Sequence, residues 1–459
     1  MIAANAFANR PVAVFGLGRS GLVAARALAG GGATVCAWDD ALEAREAAHD
    51  AGVPLADLSG QDFASFDALI LSPGIPLTHP APHAVVARAQ AAGCEVIGDI
   101  EVFLREGLPA SLVGISGTNG KSTTTALLAH ILRRSGRAVV EGGNLGAPVL
   151  GLPLLGADGV YVLELSSYQI DLTPSLVCDV AVLLNISPDH LDRHGGMEGY
   201  VAVKKRLFAQ PAAVSTAIVG IDDSFCAGIY ADLRTRGGAI PIAVGTHAEG
   251  GVWVAGGVLH DGRDGASVDL TGAAGLRGQH NWQNAAAAYA AARALGVSTS
   301  AIAPALLDFP GLSHRMESVG SVDGVLFVND SKATNVTAAA RALAFFGAIY
   351  WIAGGRAKET DLDALAPFFP HVRHAFLIGE AANAFGAALE GHVAHTASGN
   401  LDAAVAAAHE HALADGEEGA VVLLSPACAS FDQWYDFEAR GDAFRRLVAA
   451  LPGHQQDPA

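Results

Sequence analysis

The chain has few basic residues. Its 459 residues include 28 Lys and Arg but 46 Asp and Glu, which gives a formal net charge of −18 at pH 7. Nucleic acids and anionic membranes bind basic surfaces, so this composition argues against both as partners. An anionic ligand must instead be held locally, by individual Lys and Arg side chains, a metal ion or helix N-termini.

Cysteine clusters and long apolar runs are also missing. The five cysteines include no CxxC pair and no zinc-type spacing. Most of them lie in apolar runs, so we expect buried free thiols. The sequence contains neither a secretion signal nor an apolar run of about 20 residues, the length that spans a membrane. We therefore expect a cytoplasmic protein.

The order of the apolar segments indicates the fold class. Short apolar strands alternate with helical patterns along the whole chain, which predicts α/β layers with mostly parallel sheets. A chain of 459 residues is too long for a single hydrophobic core. We divide it into three blocks, which cover residues 1–108, 109–311 and 312–459.

The clearest motif is a glycine-rich loop between a predicted strand, 111–115, and a predicted helix, 124–134. Its residues are Gly117-Thr118-Asn119-Gly120-Lys121-Ser122-Thr123. The backbone N–H groups of such a turn, together with a helix N-terminus, bind phosphate. Lys121 would contact the β- and γ-phosphates and Ser122 would bind Mg²⁺, so we expect ATP binding. The spacing departs from the general motif, because Gly114 lies one residue too far from Gly120.

The first block has a second glycine-rich turn. The spacing Gly16-x-Gly18-x-x-Gly21 lies between a predicted strand and an Ala-rich helix, and the next predicted strand ends at Asp39. Taken alone, this pattern predicts a Rossmann-like unit that binds NAD. A third strand, 68–71, leads into the tight turn Ser72-Pro73-Gly74. Ligands of open α/β sheets bind at such strand ends.

Two strands of the second block end in polar residues. Glu164 follows strand 159–163 and is either a Mg²⁺ ligand or an acid at a helix N-terminus. Segment 185–194, which includes Asp189, His190, Asp192, Arg193 and His194, favours a metal and phosphate site over a solvated turn. The residues alone leave Lys204 and Lys205 as an exposed helix face.

Further polar residues are candidates for nucleotide and substrate contacts. Asn281 and Asn284 lie one turn apart on a predicted helix, where they could contact an adenine edge or, for Asn281, cap the helix. In the third block, cations in polar loops could bind phosphate or a carboxylate substrate, with solubility as the alternative. These are His314, Arg315, Lys332, Arg356 and Lys358.

The sequence resembles the Mur ligases of peptidoglycan synthesis along its whole length. Besides the phosphate loop, the resemblance depends on Glu-Leu-Ser-Ser-Tyr-Gln at 164–169, Asn-Ile-Ser-Pro-Asp-His-Leu-Asp-Arg-His at 185–194, His-Asn-x-x-Asn at 280–284 and His-Arg at 314–315. Two further runs resemble the D-glutamate-adding member of the family. They are Asn-Asp-Ser-Lys-Ala-Thr-Asn at 329–335 and Leu-Ser-Pro-Ala-Cys-Ala-Ser-Phe-Asp at 424–432.

The resemblance implies three domains and a reaction. The domains are a Rossmann-like UDP-substrate-binding domain (1–108), a central phosphate-loop ATP-binding domain (109–311) and a Rossmann-like C-terminal glutamate-binding domain (312–459). The reaction adds D-glutamate to UDP-N-acetylmuramoyl-L-alanine through an acyl phosphate, in cytoplasmic peptidoglycan precursor synthesis. The expected cofactors are ATP and two Mg²⁺ ions. The expected partners are these two small-molecule substrates, without nucleic acid or membrane, and we expect a monomer.

The resemblance also implies residue roles. Lys121 would bind the γ-phosphate, and Mg²⁺ would be bound by Ser122, Glu164, His190 and a carbamylated Lys204, which follows Tyr200 by four residues. Other ATP contacts would come from the phosphate loop and from Asn281, Asn284, Arg315 and Asp330. The UDP substrate would contact Gly18, Arg19, Ser20, Asp39, Ser72, Pro73, Gly74, Asn144, Ser166, Gln169 and His190. Glutamate would contact Thr334, Lys358, Ser430 and Phe431, and Lys332 is a further predicted substrate-binding residue. Family members can follow the uracil-binding acid with a Thr-Arg pair, whereas this chain has Asp40 and Ala41 there.

Three alternatives stay open on sequence alone. The first is another amino-acid ligase of the superfamily, L-glutamate-adding or folylpolyglutamate-like, against which the runs 329–335 and 424–432 argue. The second is an NAD-dependent oxidoreductase, which leaves the phosphate loop unexplained. The third is a nucleotide-binding switch without turnover. The sequence does not determine the chirality of the added glutamate.

Overall fold

The structure is a computed structural model that describes residues 1–208, 216–235, 237–276, 278–357 and 360–455. The chain divides into two compact units, Met1–Phe309 and Pro310–Ala459. Parallel strand pairs predominate in both units, as the alternation of strand and helix patterns predicted. Short 3-10 helices occupy Asn5–Phe7, Leu58–Gly60, Phe63–Ser65, Val149–Gly151, Arg206–Phe208, Ala274–Leu276 and Asp363–His371.

The first unit begins with a four-stranded sheet in which every pair is parallel and the strand order is β2-β1-β3-β4. The strands are β1 (Pro11–Phe15), β2 (Thr34–Trp38), β3 (Ala68–Leu71) and β4 (Glu95–Ile97). The helices of this region are α1 (Arg19–Gly30), α2 (Leu42–Asp50), α3 (Ala84–Ala91) and α4 (Asp99–Arg105). Because β1, β2 and β3 are parallel neighbours, the loops that follow them meet at one edge of the sheet.

A nine-stranded sheet follows in the same unit, with the order β13-β12-β11-β10-β9-β8-β5-β7-β6. Its strands are β5 (Ser111–Ser116), β6 (Val139–Gly143), β7 (Val160–Glu164), β8 (Val180–Leu183), β9 (Thr216–Gly220), β10 (Ala239–Val244), β11 (Val252–Ala255), β12 (Val258–Asp261) and β13 (Ser267–Asp269). In this spatial order, every pair of neighbouring strands between β11 and β6 is parallel. The pairs β11–β12 and β12–β13 at the other end of the sheet are antiparallel.

Helices cover this second sheet. They are α5 (Lys121–Arg134), α6 (Ser167–Asp171), α7 (Leu191–His194), α8 (Met197–Lys205), α9 (Ser224–Arg234), α10 (Gln279–Ala294) and α11 (Thr299–Leu307). Residues 285–292 of α10, seven alanines and a tyrosine, are all buried. A helix that is apolar on all sides belongs inside a core, and its small side chains let α5 pack closely against it.

The second unit contains a seven-stranded sheet with the order β18-β17-β16-β19-β15-β14-β20. Its strands are β14 (Glu317–Val322), β15 (Val325–Asn329), β16 (Ile349–Gly354), β17 (Val372–Ile378), β18 (His395–Gly399), β19 (Val421–Leu424) and β20 (His454–Gln455). Its helices are α12 (Val336–Leu343), α13 (Ala382–Leu389), α14 (Leu401–Asp415) and α15 (Phe437–Ala449). Strands β15, β19 and β16 are parallel neighbours, so the loops that follow them lie at one edge.

Two expectations about buried and apolar segments can be compared with this fold. Among the described residues, no helix is long and apolar enough to cross a membrane. The five cysteines are free thiols, and Cys94, Cys178, Cys226 and Cys428 are buried as expected, while Cys36 is half-buried.

The turn after β1 depends on a close approach of α1 to the backbone. A Cβ atom at Gly21 would lie 1.7 Å from the carbonyl oxygen of Gly16 and 2.7 Å from Ser72 Oγ. We expect Gly21→Ala to lower the free energy of unfolding by about 2 kcal/mol or more, because backbone must move. Gly18→Ala is the matched control, since Gly18 has open space and an ordinary φ of −64°, and it should cost about 1 kcal/mol or less. Urea unfolding of both variants measures the difference, and equal costs would contradict the packing argument.

Candidate active site

The phosphate loop lies at the carboxyl edge of the nine-stranded sheet, between β5 and α5. Strands β7 and β8 pair in parallel on either side of β5, so Glu164 and Asn185 flank the loop. The N–H of Thr118 donates to the carbonyl of Asn185 at 2.9 Å, and the N–H of Asn119 donates to Asn185 Oδ1 at 2.9 Å. Asn185 therefore holds the loop from the β8 side.

Gly120 permits the tight entry into α5. Its φ is +83°, and a Cβ atom there would lie 2.2 Å from Asn284 Oδ1. Asn284 lies on α10, where its Oδ1 accepts from Thr124 Oγ1 at 3.1 Å and its Nδ2 donates to Asn281 Oδ1 at 3.1 Å. The two asparagines thus share one helix face, as predicted, and that face lies against the start of α5.

Lys121 folds back over its own loop. Its Nζ donates to the carbonyls of Gly117 and Thr118, each at 2.8 Å. Ser122 and Thr123 follow on the first turn of α5 and are buried. The loop therefore combines a cation with the backbone N–H groups of a helix N-terminus, which is the arrangement that favours a phosphate anion.

Glu164 has the features of a cation ligand. Its side chain is buried at the end of β7, and its Oε1 accepts from Asn144 Nδ2 at 2.6 Å. Its Oε2 is buried without a hydrogen-bond partner among the described residues. A buried carboxylate oxygen without a donor is costly, so this atom is suited to a metal ion. The described residues contain no group of three or more His, Cys, Asp and Glu that could hold a metal by themselves.

Lys204 is buried against the phosphate loop, whereas Lys205 lies at the surface. Lys204 is 1% exposed, and its Nζ donates to Ser116 Oγ at 2.9 Å and to the Gly117 carbonyl at 3.1 Å. Burial, with a contribution from the Lys121 charge, lowers the pKa of Lys204 to about 7. Lys205 Nζ instead pairs with Asp232 at 2.6 Å. Only the first lysine is therefore a candidate for the site.

An aromatic cluster packs next to the phosphate loop. Tyr200 lies one helical turn before Lys204 on α8, and its hydroxyl lies 3.1 Å from Thr118 Oγ1. His194 contacts the rings of Tyr200 and Tyr168, with centroids 5.5 Å apart in both cases, and its Nε2 lies 2.9 Å from Ser167 Oγ. Burial lowers the pKa of His194, so the cluster favours a neutral imidazole.

His190 is exposed, whereas Asn185 and His194 of the same segment are partly or fully buried. It has a left-handed φ of +52° directly before α7, and its ring centroid lies 5.0 Å from that of Tyr168. Segment 185–194 therefore does not act as one cluster: Asn185 is at the phosphate loop, whereas His190 is at the surface.

A series of side-chain hydrogen bonds connects the phosphate loop to an open cleft. Asn185 Nδ2 donates to Gln283 Oε1 at 2.8 Å, and Gln283 Nε2 donates to Asp222 Oδ2 at 2.8 Å. The cleft has a volume of about 520 Å³, a size common in small-molecule sites. It is lined by Ile221, Asp222, Val244, Thr246, Gln279 and Gln283.

The predicted turns of the first sheet also come together. Asp39 Oδ2 accepts from the N–H of Leu17 at 2.5 Å, in the turn between Gly16 and Gly18. Ser72 Oγ donates to the carbonyl of Gly16 at 2.7 Å. Gly74 is exposed at the tip of its turn, and Arg19 and Ser20 begin α1 beside these turns.

Ser166 and Gln169 are engaged with each other. Ser166 Oγ accepts from the N–H of Gln169 at 3.2 Å, and the Gln169 side chain accepts from the N–H of Ser166 at 3.1 Å. This is a capping box at the start of α6. Their substrate contacts remain a prediction, and the observed role of both side chains is structural.

In the second unit, a buried aspartate joins two of the predicted loops. Asp330 Oδ2 accepts from Ser425 Oγ at 2.9 Å, and Oδ1 accepts from the N–H of Met316, next to Arg315, at 3.2 Å. Burial raises the pKa of Asp330 to about 7. Arg315 and Asp330, both predicted to contact ATP, are therefore neighbours, and the Arg315 charge acts on the Asp330 carboxyl.

A buried arginine ties the same two loops. Arg440 on α15 is 0% exposed, and its guanidinium donates to Ser331 Oγ at 3.0 Å and to the carbonyls of Ser331 and Cys428 at 2.9 and 3.0 Å. Burial lowers the pKa of Arg440 to about 10. Runs 329–335 and 424–432, which were chosen from sequence, are therefore one connected structure.

The residues predicted to bind substrate in the second unit have different surroundings. Thr334 lies beside Lys332, to whose carbonyl its N–H donates at 2.8 Å, and Lys332 Nζ lies 3.8 Å from the ring centroid of Phe437. Ser430 is buried, whereas Phe431 is 63% exposed. Phe437 is thus the aromatic side chain that meets the predicted lysine, and sequence reasoning did not select it. Lys358 lies outside the described residues.

Several other residues of the site were not selected either. Ser116, Asn185 and Gln283 contact the phosphate loop or its neighbours through side-chain hydrogen bonds. Ser116 and Asn185 are polar residues at the ends of apolar strands, which is a usable signal. Gln283 lies one position before Asn284 in a helix, and periodicity alone does not distinguish it.

Comparisons with known proteins cover nearly the whole chain. Residues 10–98 match the family model "Mur ligase MurD-like, N-terminal domain", residues 115–292 match "Mur ligase middle domain", and residues 314–428 match "Mur ligase, glutamate ligase domain".

Full-length relatives share half of their residues with this chain. The UDP-N-acetylmuramoylalanine–D-glutamate ligase of Caulobacter sp. (strain K31) is 52% identical, over 98% of each chain. The ligase of the same name from Phenylobacterium zucineum is 51% identical over 100% of each chain. Among solved structures, UDP-N-acetylmuramate-alanine ligase MurC from Thermotoga maritima has a TM-score of 0.57 at 15% identity, over 95% of this chain and 99% of that one. At that identity the likeness shows the fold alone.

The phosphate loop yields a prediction about Gly120. We expect Gly120→Ala to weaken binding of a non-hydrolysable ATP analogue by about tenfold or more, because the added methyl collides with Asn284 and the loop must shift. Gly136→Ala is the control, since Gly136 follows the same helix with the same φ of +83° but open space around it. It should cost about 1–2 kcal/mol of stability and leave affinity unchanged. Calorimetric titration of both variants tests this, and equal affinities would refute it.

Proposed function

The chain belongs to the Mur ligase family, as its motifs predicted, and we propose that it joins D-glutamate to UDP-N-acetylmuramoyl-L-alanine with ATP as the energy source. The observation that carries this proposal is the 52% identity, over 98% of both chains, to a ligase named for that reaction. Family membership also removes the oxidoreductase alternative, and the glycine turn of the first sheet is assigned to the UDP substrate rather than to NAD.

ATP binds at the phosphate loop in this proposal. The loop N–H groups and Lys121 hold the phosphates, and Asn281 and Asn284 contact the nucleotide from α10. In the second unit, Arg315 and Asp330 are proposed ATP contacts, supported by their position next to each other.

The residues present fit a magnesium site. Its ligands would be Ser122, Glu164, His190 and a carbamate formed on Lys204. Glu164 Oε2, which has no hydrogen-bond partner among the described residues, supports the part of this set at the phosphate loop, whereas His190 is exposed and is proposed from the resemblance alone. When bound, Mg²⁺ would neutralise charge on the phosphates and on the group under attack. An ammonium on Lys204 does not fit beside a cation, whereas a carbamate supplies two anionic oxygens.

The chemistry proceeds in two steps. A carboxylate oxygen of the alanyl group attacks the γ-phosphorus, the bond between that phosphorus and the β,γ-bridging oxygen breaks, and ADP leaves. The amine of D-glutamate then attacks the acyl carbon, the bond to the phosphate oxygen breaks, and the nitrogen loses a proton. Lys121 stabilises the charge on the transferred phosphoryl group in the first step.

The substrates are assigned to the two groups of loops already described. The turns at Gly18–Ser20, Asp39 and Ser72–Gly74 hold the nucleotide part of the acyl substrate, with Asn144 nearer to Glu164. Glutamate is assigned to Lys332, Thr334, Lys358 and Ser430 in the second unit. We also propose that the enzyme works in the cytoplasm as a monomer, independently of nucleic acid and membrane.

The direct test is phosphate release from ATP and Mg²⁺ with UDP-N-acetylmuramoyl-L-alanine and D-glutamate, L-glutamate or neither. We expect release to require the nucleotide substrate and D-glutamate together. Dependence on L-glutamate would keep the mechanism and change the product. ATP binding without stimulation by either amino acid would contradict the ligase assignment for these substrates and favour the switch.

Lys204 provides a second test with a natural control. Because its pKa is lowered to about 7, most of the amine is neutral at mildly alkaline pH, and the neutral amine is the form that reacts with CO₂. We expect a carbamate carbonyl signal in the ¹³C spectrum after incubation with labelled bicarbonate. The signal should fade on acidification, be lost in Lys204→Ala and persist in Lys205→Ala.

The same two variants should differ in activity. We expect Lys204→Ala to lower turnover by about 10²-fold, because a proposed anionic ligand is lost from the Mg²⁺ that would neutralise the transferred phosphate. Small carboxylates such as acetate should restore part of it, and Lys205→Ala should retain wild-type turnover. Activity of Lys204→Ala near that of the wild type would reject the carbamate assignment.

A further inference from the structure

Arg193 belongs to the polar segment 185–194 but not to the phosphate loop. Its guanidinium donates from one nitrogen to the carbonyl of Gly74 and from another to the carbonyl of Ile75, each at 3.0 Å. The same guanidinium lies over the ring of Tyr168, 4.6 Å from the centroid. Arg193 therefore connects the nine-stranded sheet's loops to the turn that follows β3.

The turn held by Arg193 is fixed on two sides. It is closed by the N–H of Ile75 donating to the carbonyl of Ser72 at 3.0 Å, and Ser72 Oγ anchors it to Gly16 at 2.7 Å. Arg193 binds the carbonyl oxygens of Gly74 and Ile75 in the same turn. Close packing continues next to it, because a Cβ atom at Gly195 would lie 2.6 Å from His79 Nε2.

The other end of the connection reaches the phosphate loop. Tyr168, under the Arg193 guanidinium, stacks on His194 with an interplanar angle of 23°. His194 contacts Tyr200, whose hydroxyl lies 3.1 Å from Thr118 Oγ1. A continuous series of packed rings thus joins the Gly74 carbonyl to the loop that holds phosphate.

We infer that Arg193 is a positioning residue that fixes the Ser72–Ile75 turn at a set distance from the phosphate loop. The inference rests on the proposed function, in which the turn holds the nucleotide part of the acyl substrate and the loop holds ATP. The alanyl carboxylate reaches the γ-phosphorus only if these two anchoring points are correctly spaced. A misplacement of about 1 Å can cost about 10²-fold in rate.

The role requires a guanidinium rather than a positive charge. Two carbonyl oxygens are bound at once by two nitrogens of a planar group, whose face also lies on an aromatic ring. A lysine ammonium is a point charge on a flexible stem, and it cannot make the paired contacts and the stacking together. Arg193→Lys therefore separates geometry from charge.

The test compares Arg193→Met and Arg193→Lys with the wild type by steady-state kinetics. We expect kcat/KM for UDP-N-acetylmuramoyl-L-alanine to fall by about 10²-fold in Arg193→Met, with most of that loss retained in Arg193→Lys. KM for D-glutamate should change by about twofold or less, because Arg193 is in the first unit. The control is Arg206→Met, which removes a guanidinium paired with Asp171 at the other end of α6 and should match the wild type.

Chemical rescue adds a readout that general destabilisation does not move. We expect guanidinium ions at low concentration to restore part of the activity of Arg193→Ala, and an alkylammonium salt to restore none. Thermal unfolding of each variant shows whether it is folded. If Arg193→Met is unfolded at the assay temperature, the kinetics of Arg193→Lys and the rescue experiment test the inference instead.

Three results would overturn the inference. They are wild-type kcat/KM for the nucleotide substrate in a folded Arg193→Met, a loss confined to KM for D-glutamate, and equal rescue by guanidinium and alkylammonium. Failure of the proposed function is a separate outcome, because it appears in the wild type as phosphate release that does not depend on the two substrates. In that case the turn is tested without substrate: amide hydrogen exchange at Ile75, whose N–H donates to the Ser72 carbonyl, should be faster in Arg193→Met than in the wild type, and unchanged exchange would overturn the inference.

Discussion

The parallel pairing of β5 with β7 and β8 is the constraint on which the candidate site depends. Parallel neighbours end at the same edge, so the polar residues that follow each strand are brought together whatever their separation in sequence. Glu164 and Asn185 reach the phosphate loop in this way. The same rule acts in the second unit, where β15, β19 and β16 bring Asp330 and Ser425 within hydrogen-bond distance. The sheets thus determine position, and the loops supply chemistry.

Electrostatics at the phosphate loop follows from burial and from the charges immediately around it. Lys204 has hydroxyl and carbonyl partners, and its pKa falls because its charge is desolvated and the Lys121 ammonium is nearby. Glu164 carries a buried oxygen without a donor in the described part of the chain. Lys204 is therefore in surroundings that favour the neutral amine, and Glu164 Oε2 is placed to accept an added ligand. The global charge of −18 contributes little to such a site, since local groups dominate at these distances.

The sequence was informative wherever apolar strands precede polar loops. The strand predicted at 68–71 has those bounds in the structure, and the helix predicted from 124 begins three residues earlier at Lys121, because a phosphate loop turns directly into its helix. The antiparallel strands β12 and β13 were not predicted, since they are only four and three residues long. The burial of Lys204 was not predictable from its type, because a charged residue on a helix is usually exposed. Its i,i+4 relation to the buried Tyr200 was the available signal. No signal in the sequence pointed to Phe437, because its contact with Lys332 comes from tertiary packing.

Segment 185–194 shows why a cluster of polar residues in sequence need not form one site. The left-handed backbone at His190 and the single turn of α7 reverse the chain within a few residues. Asn185 consequently binds the phosphate loop, His194 is buried among aromatic rings, and Arg193 donates to the Gly74 carbonyl. In a helix or a strand, side chains at a fixed spacing point in the same direction. An irregular turn instead lets one short segment contact several parts of the same unit, so the Ser72–Ile75 turn and the phosphate loop are both held by residues of this segment.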